Sequence, residues 1–244
     1  MIFVQNLKNI MSNNCIVCLK IGEKYSAKYV NILYSMIRKQ TDLPFICFTD
    51  DTKGIKEGVT TFPINKYNCK NYWPAWNKIE IFGREELDQY DKKIFFDLDI
   101  IIHGSISKIL EHDENFSLIF SKWKKRLLFG TEYNSSCMVW KDNKEIYKNW
   151  LKQKEKNITE HRGIDNYFYA NKIKPTFLPD IFYSYTRGSK PDEYYNFDEK
   201  NLIHPKPVWK MLNDHSVAIF NGPPKMEYFD EEKHEIMKYW RQDD

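Results

Sequence analysis

The stretch of sequence that decides the fold is residues 92–103, KKIFFDLDIIIH. It is the most apolar segment of the chain, and two aspartates, Asp97 and Asp99, interrupt it. The apolar run before Asp97 predicts a buried central strand, and the run after Asp99 predicts a second strand. Because open α/β sheets bind ligands at the carboxyl ends of their strands, we expect both aspartates to lie in a ligand site.

The spacing of the two aspartates indicates metal and phosphate chemistry. Two carboxylates one residue apart can reach a single divalent ion, and Mg²⁺ or Mn²⁺ prefers such ligands together with substrate phosphates. Glycosyl transfer uses this pattern to hold a metal–diphosphate, and haloacid-dehalogenase-type phosphohydrolases use it with the first aspartate, here Asp97, as nucleophile. Ile101 stands where the second class has Thr or Val, which favours glycosyl transfer. A solvated turn is the alternative without chemistry.

The rest of the chain predicts one α/β domain over residues 1–244. A strand–helix–strand rhythm at its start is typical of a parallel sheet flanked by helices. Ser26 is predicted to cap the first helix, whose apolar stripe includes Tyr29 and Leu33. Residues 1–12 are interpreted as an extra segment. The predicted strands are 14–19, 44–48, 59–64, 93–103 around the acidic pair, 117–120, 127–130, 136–140, 175–178, 202–204 and 217–220; the predicted helices are 26–39, 76–82, 143–153 and 164–171.

Composition excludes several functional classes. The net charge is +3 with both signs interspersed, which is not typical of a nucleic-acid-binding protein. No stretch approaches the roughly 20 apolar residues that span a bilayer, so we expect no transmembrane segment and a cytoplasmic location. The five scattered cysteines fit reduced thiols, and the spacing of Cys15 and Cys18 inside an apolar run does not favour a zinc site. The basic cluster of Lys122, Lys124, Lys125 and Arg126 is interpreted as a solvated loop.

With these motifs in order, the chain resembles the GT-A-fold glycosyltransferases, especially the glycogenin-like retaining group and its bacterial relatives. The resemblance runs from about Cys15 to Tyr228. It is carried by residues 18–25, 49–51 (TDD), 76–78 (WNK), 96–99 (FDLD), 134–138 (NSSCM), 163–166 (GIDN) and 220–225 (FNGPPK).

The resemblance implies a GT-A fold, with a Rossmann-like, mostly parallel central sheet, and a set of site residues. The implied metal ligands for Mn²⁺ or Mg²⁺ are Asp97, Asp99 and Asn221. Asn221 replaces a histidine of the family, and His215 has the wrong spacing to take that place. The implied catalytic residues are Asp165, Asn134 and Lys78. The implied donor-binding residues are Leu19, Lys20, Tyr25, Asp50, Asp51, Lys78, Asp97, Leu98, Asp99, Ser135, Gly222 and Lys225.

The function implied is transfer of a sugar from a nucleotide-diphosphate donor, with UDP favoured, to an acceptor hydroxyl group with retention. The acceptor would be a glycan or another hydroxyl compound. Residues 180–215 are interpreted as a loop region on the acceptor side, with Tyr183, Tyr185 and Arg187 shaping the site and Trp209 and Tyr228 as platforms for a sugar ring. A relative that binds nucleotide sugars without catalysis is a further alternative.

Overall fold

The computed structural model describes residues 13–65, 74–124, 130–188, 209–221 and 225–242. The strands are β1 (Asn14–Lys20), β2 (Phe45–Thr49), β3 (Thr60–Pro63), β4 (Lys92–Phe96), β5 (Ile100–Ile102), β6 (Phe116–Phe120), β7 (Tyr133–Trp140), β8 (Thr176–Phe177), β9 (Phe182–Ser184) and β10 (Val217–Ile219). The α-helices are α1 (Ala27–Arg38), α2 (Ser107–Leu110), α3 (Lys144–Leu151), α4 (Lys154–Glu160), α5 (Ile164–Ala170) and α6 (Trp209–Asp214), and 3-10 helices cover Pro74–Gly83, Glu85–Leu87, Met226–Tyr228 and Glu235–Tyr239.

A seven-stranded central sheet carries the fold, in the order β3-β2-β1-β4-β7-β6-β8. The pairs β2–β3, β1–β2, β1–β4 and β6–β8 are parallel, whereas β7 runs antiparallel to both of its neighbours. Strands β1, β2 and β4 are almost entirely buried, as expected for strands covered on both faces. The predicted α/β class with a mostly parallel sheet is therefore confirmed.

Helix α1 covers one face of this sheet, and its predicted apolar stripe, including Tyr29 and Leu33, is buried there. Ser26 occupies the predicted N-cap position, but its side chain makes no capping hydrogen bond. The 3-10 helix Pro74–Gly83, predicted as helical at 76–82, packs into the core on the other face of the sheet.

A smaller sheet follows the acidic pair. Strand β5 is not part of the central sheet. It pairs antiparallel with β10, which in turn pairs in parallel with β9. The prediction of a loop at 180–215 is wrong where β9 and α6 form. Tyr183 and Tyr185 are fully buried in the core. Tyr183 lies in β9 and Tyr185 follows it directly, and because both are buried they do not line the acceptor site as predicted.

Other differences concern element boundaries. Strand β7 begins at Tyr133 and not at 136, so the Asn-Ser-Ser motif lies inside a strand. Helix α4 was not predicted. The N-terminal segment 1–12, most of the predicted strand 127–130 and the strand 202–204 lie outside the described residues.

Cys15 and Cys18 pack into opposite faces of the central sheet, because residues three apart on a strand point to opposite sides. Their spacing therefore cannot bring both thiols to one ion. Across the described ranges, no helix is long and apolar enough to cross a membrane.

Candidate active site

The acidic pair lies where the two sheets meet. Strand β4 ends at Phe96, and the amide of Asp97 donates to the carbonyl oxygen of Ser136 on β7 at 2.8 Å. The amide of Phe220, which follows β10, donates to the carbonyl oxygen of Asp99 at 2.9 Å. Backbone hydrogen bonds from both sheets thus hold the pair at the carboxyl end of β4, the edge at which we expected a ligand site.

Two lysines from distant parts of the chain bind the two carboxylates. Lys78, on the 3-10 helix, places its Nζ 2.7 Å from Asp97 Oδ2. Lys225, near the C-terminus, places its Nζ 2.5 Å from Asp99 Oδ2, and the Tyr25 hydroxyl donates to the same oxygen at 2.9 Å. All of these groups are largely buried, so the pairs are weakly screened by solvent.

The two carboxylates differ in their electrostatic surroundings. Burial raises the pKa of Asp97 above its ordinary value, and the charge of Asp99 adds to this, while Lys78 opposes it. Burial also acts to raise the pKa of Asp99, but the charge and hydrogen bond of Lys225 outweigh it, so that pKa lies below its ordinary value. A cation that approaches Asp97 would therefore stabilise an ionised form that burial disfavours.

Asp165, at the start of α5, belongs to the same cluster. The amide of Ser135 donates to Asp165 Oδ1 at 3.0 Å, and Lys124 Nζ lies 2.9 Å from Asp165 Oδ2. Burial acts to raise the pKa of Asp165, but Lys124 and Lys78 lower it below its ordinary value. Asp165 is thus held as an anion.

Lys124 corrects the interpretation of the basic cluster as a solvated loop. Its side chain is only 12% exposed, and its Nζ also donates to the carbonyl oxygen of Tyr133. Lys124 lies four residues after the end of β6, and this position brings it into the site. Lys122 remains on the surface, paired with Asp180. Lys125 and Arg126 lie outside the described residues.

The Asn-Ser-Ser motif connects the acidic pair to Asp165. Lys78 Nζ lies 3.4 Å from both the carbonyl oxygen and the Oγ of Ser135. The side-chain oxygen of Asn134 accepts from the amide of Ser136 at 2.9 Å, so this amide group braces its own strand. Asp97, Lys78, Ser135 and Asp165 form one connected polar network.

Residues predicted to bind the nucleotide lie at the ends of β1 and β2. Both carboxylate oxygens of Asp50 accept from the amide of Gly22, at 3.0 and 2.9 Å, and so hold the loop after β1. Lys20 is buried, and its Nζ donates to the carbonyl oxygen of Asp51 at 3.3 Å. These contacts organise the loop next to Tyr25, and nucleotide binding by these residues stays a prediction.

The remaining predicted residues are placed as follows. Leu98 is buried in the core on the α1 side of the central sheet, and Leu19 is half-buried against the core on the opposite side. Arg187 donates from its amide to the carbonyl oxygen of Ser184. Tyr228 is exposed. Gly222 and the side chain of Trp209 lie outside the described residues.

Lys24 was missed by sequence reasoning, although it lies in the predicted loop after β1. Its Nζ is 4.8 Å from the centroid of the Tyr25 ring. Burial and the charge of Lys225 lower the pKa of Lys24, and the charges of Asp99 and Asp97 oppose this. With Lys24 the site holds more lysines than the motifs indicate, which suits an anionic ligand.

The side chains present fit a magnesium or manganese ion. Such ions are commonly held by one or two carboxylates plus substrate phosphates. Asp97 and Asp99 could provide the two carboxylates. Asn221 follows the residue that bonds to Asp99, and its amide nitrogen is buried without a hydrogen-bond partner in the described part of the chain. A 180° rotation of the Asn221 amide group would exchange its nitrogen and oxygen atoms. The oxygen could then face an ion, and the nitrogen would break no hydrogen bond. No cluster of three or more His, Cys, Asp or Glu occurs among the described residues.

Several solved structures with this architecture are glycosyltransferases. The galactosyltransferase LgtC, solved with donor and acceptor sugar analogues, is 14% identical with a TM-score of 0.57, and the match covers 93% of each chain. The glycosyltransferase GlyE of Streptococcus pneumoniae is 14% identical with a TM-score of 0.60 over 94% of this chain and 61% of GlyE. The bifunctional WbbM is 12% identical with a TM-score of 0.55 over 95% of this chain and 50% of WbbM.

The chain has the GT-A glycosyltransferase fold. The prediction of this fold is confirmed by these structures. No protein-family model matches the sequence, and no curated protein matches it. In this GT-A fold, the network of Asp97, Lys78, Ser135 and Asp165 and the neighbouring pair of Asp99 and Lys225 lie at the carboxyl edge of the parallel strands.

Proposed function

We propose that this chain is a glycosyltransferase that moves a sugar from a nucleotide-diphosphate donor to an acceptor hydroxyl group. The observation that carries the proposal is the pairing of Asp97 with Lys78 and of Asp99 with Lys225 at the carboxyl edge of a GT-A sheet. A diphosphate at this place would meet two ammonium groups and two carboxylates able to hold a divalent ion. UDP is the favoured nucleotide, by the resemblance of residues 18–25 and 49–51.

Asp97, Asp99 and Asn221 would hold Mn²⁺ or Mg²⁺ in this proposal. The ion would supply positive charge that neutralises the diphosphate as it leaves the sugar. Lys78 and Lys225 would turn their ammonium groups from the carboxylates towards phosphate oxygens, as point charges suited to phosphate. Because these groups are already positioned and largely buried, little reorganisation is needed when charge develops.

Retention is proposed from the resemblance to the glycogenin-like group, and the surroundings of Asp165 agree with it. An inverting enzyme needs a general base whose pKa lies near the working pH. Lys124 and Lys78 hold the pKa of Asp165 below its ordinary value against the effect of burial, which makes it a weak base. We therefore assign Asp165 an electrostatic role beneath the positively charged sugar, with Ser135 and Asn134 beside it. A phosphohydrolase with Asp97 as nucleophile is not favoured, because the similar solved structures are glycosyltransferases.

The experiment is a thermal-shift measurement with UDP, GDP, ADP and UDP-sugars, with and without Mn²⁺, followed by an assay of nucleotide release from the donors that bind. We expect metal-dependent stabilisation by at least one nucleotide and slow release from its sugar. Asp97→Ala combined with Asp99→Ala should abolish both signals.

The matched control is Asp88→Ala combined with Asp142→Ala, which removes the same charge from exposed positions near the opposite end of β4. It should keep both signals. A flat response of the wild-type protein to every nucleotide would refute the proposal. Binding without nucleotide release, in the presence of acceptors, would indicate the non-catalytic relative, and turnover of aryl phosphates alone would indicate a phosphohydrolase.

A further inference from the structure

Two phenylalanines at the carboxyl edge of the central sheet are exposed and in contact with each other. Phe120 ends β6 and Phe177 ends β8, and their side chains are 42% and 43% exposed. Their ring centroids are 5.0 Å apart, with the ring planes at 63°. The two rings together form an exposed apolar patch. Exposed apolar patches beside a cleft are typical of binding surfaces.

The two rings form one wall of a groove of about 220 Å³. Its floor is apolar and buried, consisting of Ile119, Leu178 and Phe182. At the rim, Lys122 and Asp180 form an ion pair whose side chains are both exposed. The groove thus combines an aromatic wall with a cationic hydrogen-bond donor and an anionic acceptor.

This groove adjoins the candidate active site. Phe120 pairs with Tyr133 across β6 and β7, and the ring centroid of Tyr133 is 6.0 Å from that of Phe177. Along β7, Tyr133 lies three positions before Ser136, whose carbonyl oxygen accepts a hydrogen bond from the amide of Asp97. That separation is roughly 10 Å of strand. The groove therefore lies at the same carboxyl edge of the central sheet as the acidic pair, with β7 between β4 and β6.

We propose that this groove binds a sugar ring of the acceptor. A pyranose has an apolar face of C–H groups, which stacks on aromatic rings, and an edge of hydroxyl groups, which would bond to Lys122 and Asp180. The inference rests on the proposed function, since the acceptor must meet the donor at Asp97 and Asp99. A protein partner fits less well, because stable interfaces bury about 800 Å² on each side and this groove is the size of one ring.

The test uses saturation-transfer NMR on the full chain with a panel of methyl glycosides: the β-glucoside, β-galactoside, α-mannoside and N-acetyl-β-glucosaminide. We expect at least one glycoside to bind at millimolar concentration. Phe120→Ala combined with Phe177→Ala should weaken its Kd at least about tenfold. Phe120→Trp should retain binding, because it keeps an aromatic surface. Leu151→Ala, a truncation of another exposed apolar side chain (44%) on α3, is the matched control and should leave binding unchanged.

The same preparations are tested for the thermal shift with UDP and Mn²⁺, which separates the two proposals. If no glycoside binds, or if the double Phe variant binds glycosides as well as the wild type, the groove is not a sugar-binding site. This conclusion holds even if UDP and Mn²⁺ give a thermal shift. Loss of glycoside binding in that variant supports the groove even where no nucleotide binds and the proposed function fails. A change of sedimentation coefficient in the variant, with unchanged glycoside binding, would make the rings a contact between copies and also overturn the inference.

Discussion

His103 follows β5 directly, at the end of that strand away from the acidic pair. Its Nε2 atom is buried and has no hydrogen-bond partner within the described ranges. The ring centroids of Tyr183 and Tyr239 lie 5.8 and 5.9 Å from its own. Burial, with a contribution from the nearby His215, lowers the pKa of His103 from 6.5 to about 4. The folded state therefore favours the neutral form of His103, and the free energy of unfolding should depend on pH through this residue.

The sign follows from the two pKa values. Between pH 6.5 and pH 4 the unfolded chain binds a proton at His103 that the folded chain excludes, so stability falls as the pH decreases through this window. At about pH 7.5 and above, His103 is neutral in both states and its contribution vanishes. Since one pKa unit corresponds to about 1.4 kcal/mol, complete titration of His103 would cost about 3.4 kcal/mol. The cost is about 1.4 kcal/mol at pH 5.5 and about 2.5 kcal/mol at pH 4.5.

The perturbation is His103→Phe, which keeps a ring against the two tyrosines and removes the titration. The free energy of unfolding is measured by urea denaturation at pH 7.5, 5.5 and 4.5 for the variant and the wild-type protein. We expect the stability of the wild type relative to the variant to fall by about 1.4 and then about 2.5 kcal/mol. All other titrating groups cancel in this difference to the extent that they are unaffected by the substitution.

His103→Gln is the control, because it also cannot titrate but is polar and of different shape. Its absolute stability can differ from that of the Phe variant, but its dependence on pH should be the same. Parallel stability curves for the wild-type protein and both variants from pH 7.5 to 4.5 would refute the assignment of a buried neutral histidine.

Three further predictions concern the site and the fold. Lys225→Met should lower donor turnover about 100-fold, since it removes a preorganised positive charge, and an unchanged rate of nucleotide release would contradict its role. Lys124→Met should destabilise the protein by about 3 kcal/mol in urea denaturation, and adding Asp165→Asn should recover most of that loss, whereas simple additivity would show that the pair is not coupled. Gly83→Ala should lower the melting temperature, because a Cβ there would lie 2.0 Å from the ring of Tyr147, and an unchanged temperature would show that this ring moves freely aside.

The elements of the central sheet could be predicted from local pattern. Apolar runs predict the buried strands β1, β2 and β4, and apolar residues at helical spacing predict α1. The three strands begin within about one residue of the predicted positions. The acidic pair could be placed as well, because a polar interruption of an apolar strand has to lie at the strand's end. These features depend on neighbours in the chain, which a sequence displays directly.

The second sheet could not be predicted in the same way. Residues 182–184 lie in a segment rich in turn-forming and polar residues, and strand β9 exists because Tyr183 pairs with Ala218 on β10. The same applies to Phe120 and Phe177, which are exposed at the ends of neighbouring strands although their sequence context reads as core. Whether such a residue is buried depends on which strand ends other segments cover, and this is decided by the tertiary structure.

The sequence by itself determined the α/β class, the central strands and the position of Asp97 and Asp99, because local periodicity and residue type carry that information. The tertiary structure alone decided which groups surround them. Lys78 is 19 residues from its partner, Lys225 is 126 residues from its partner, and Lys124 meets Asp165 across 41 residues. A lysine on the surface and a lysine in an active site look alike in a sequence, and the burial and charge that distinguish them arise when distant segments pack together.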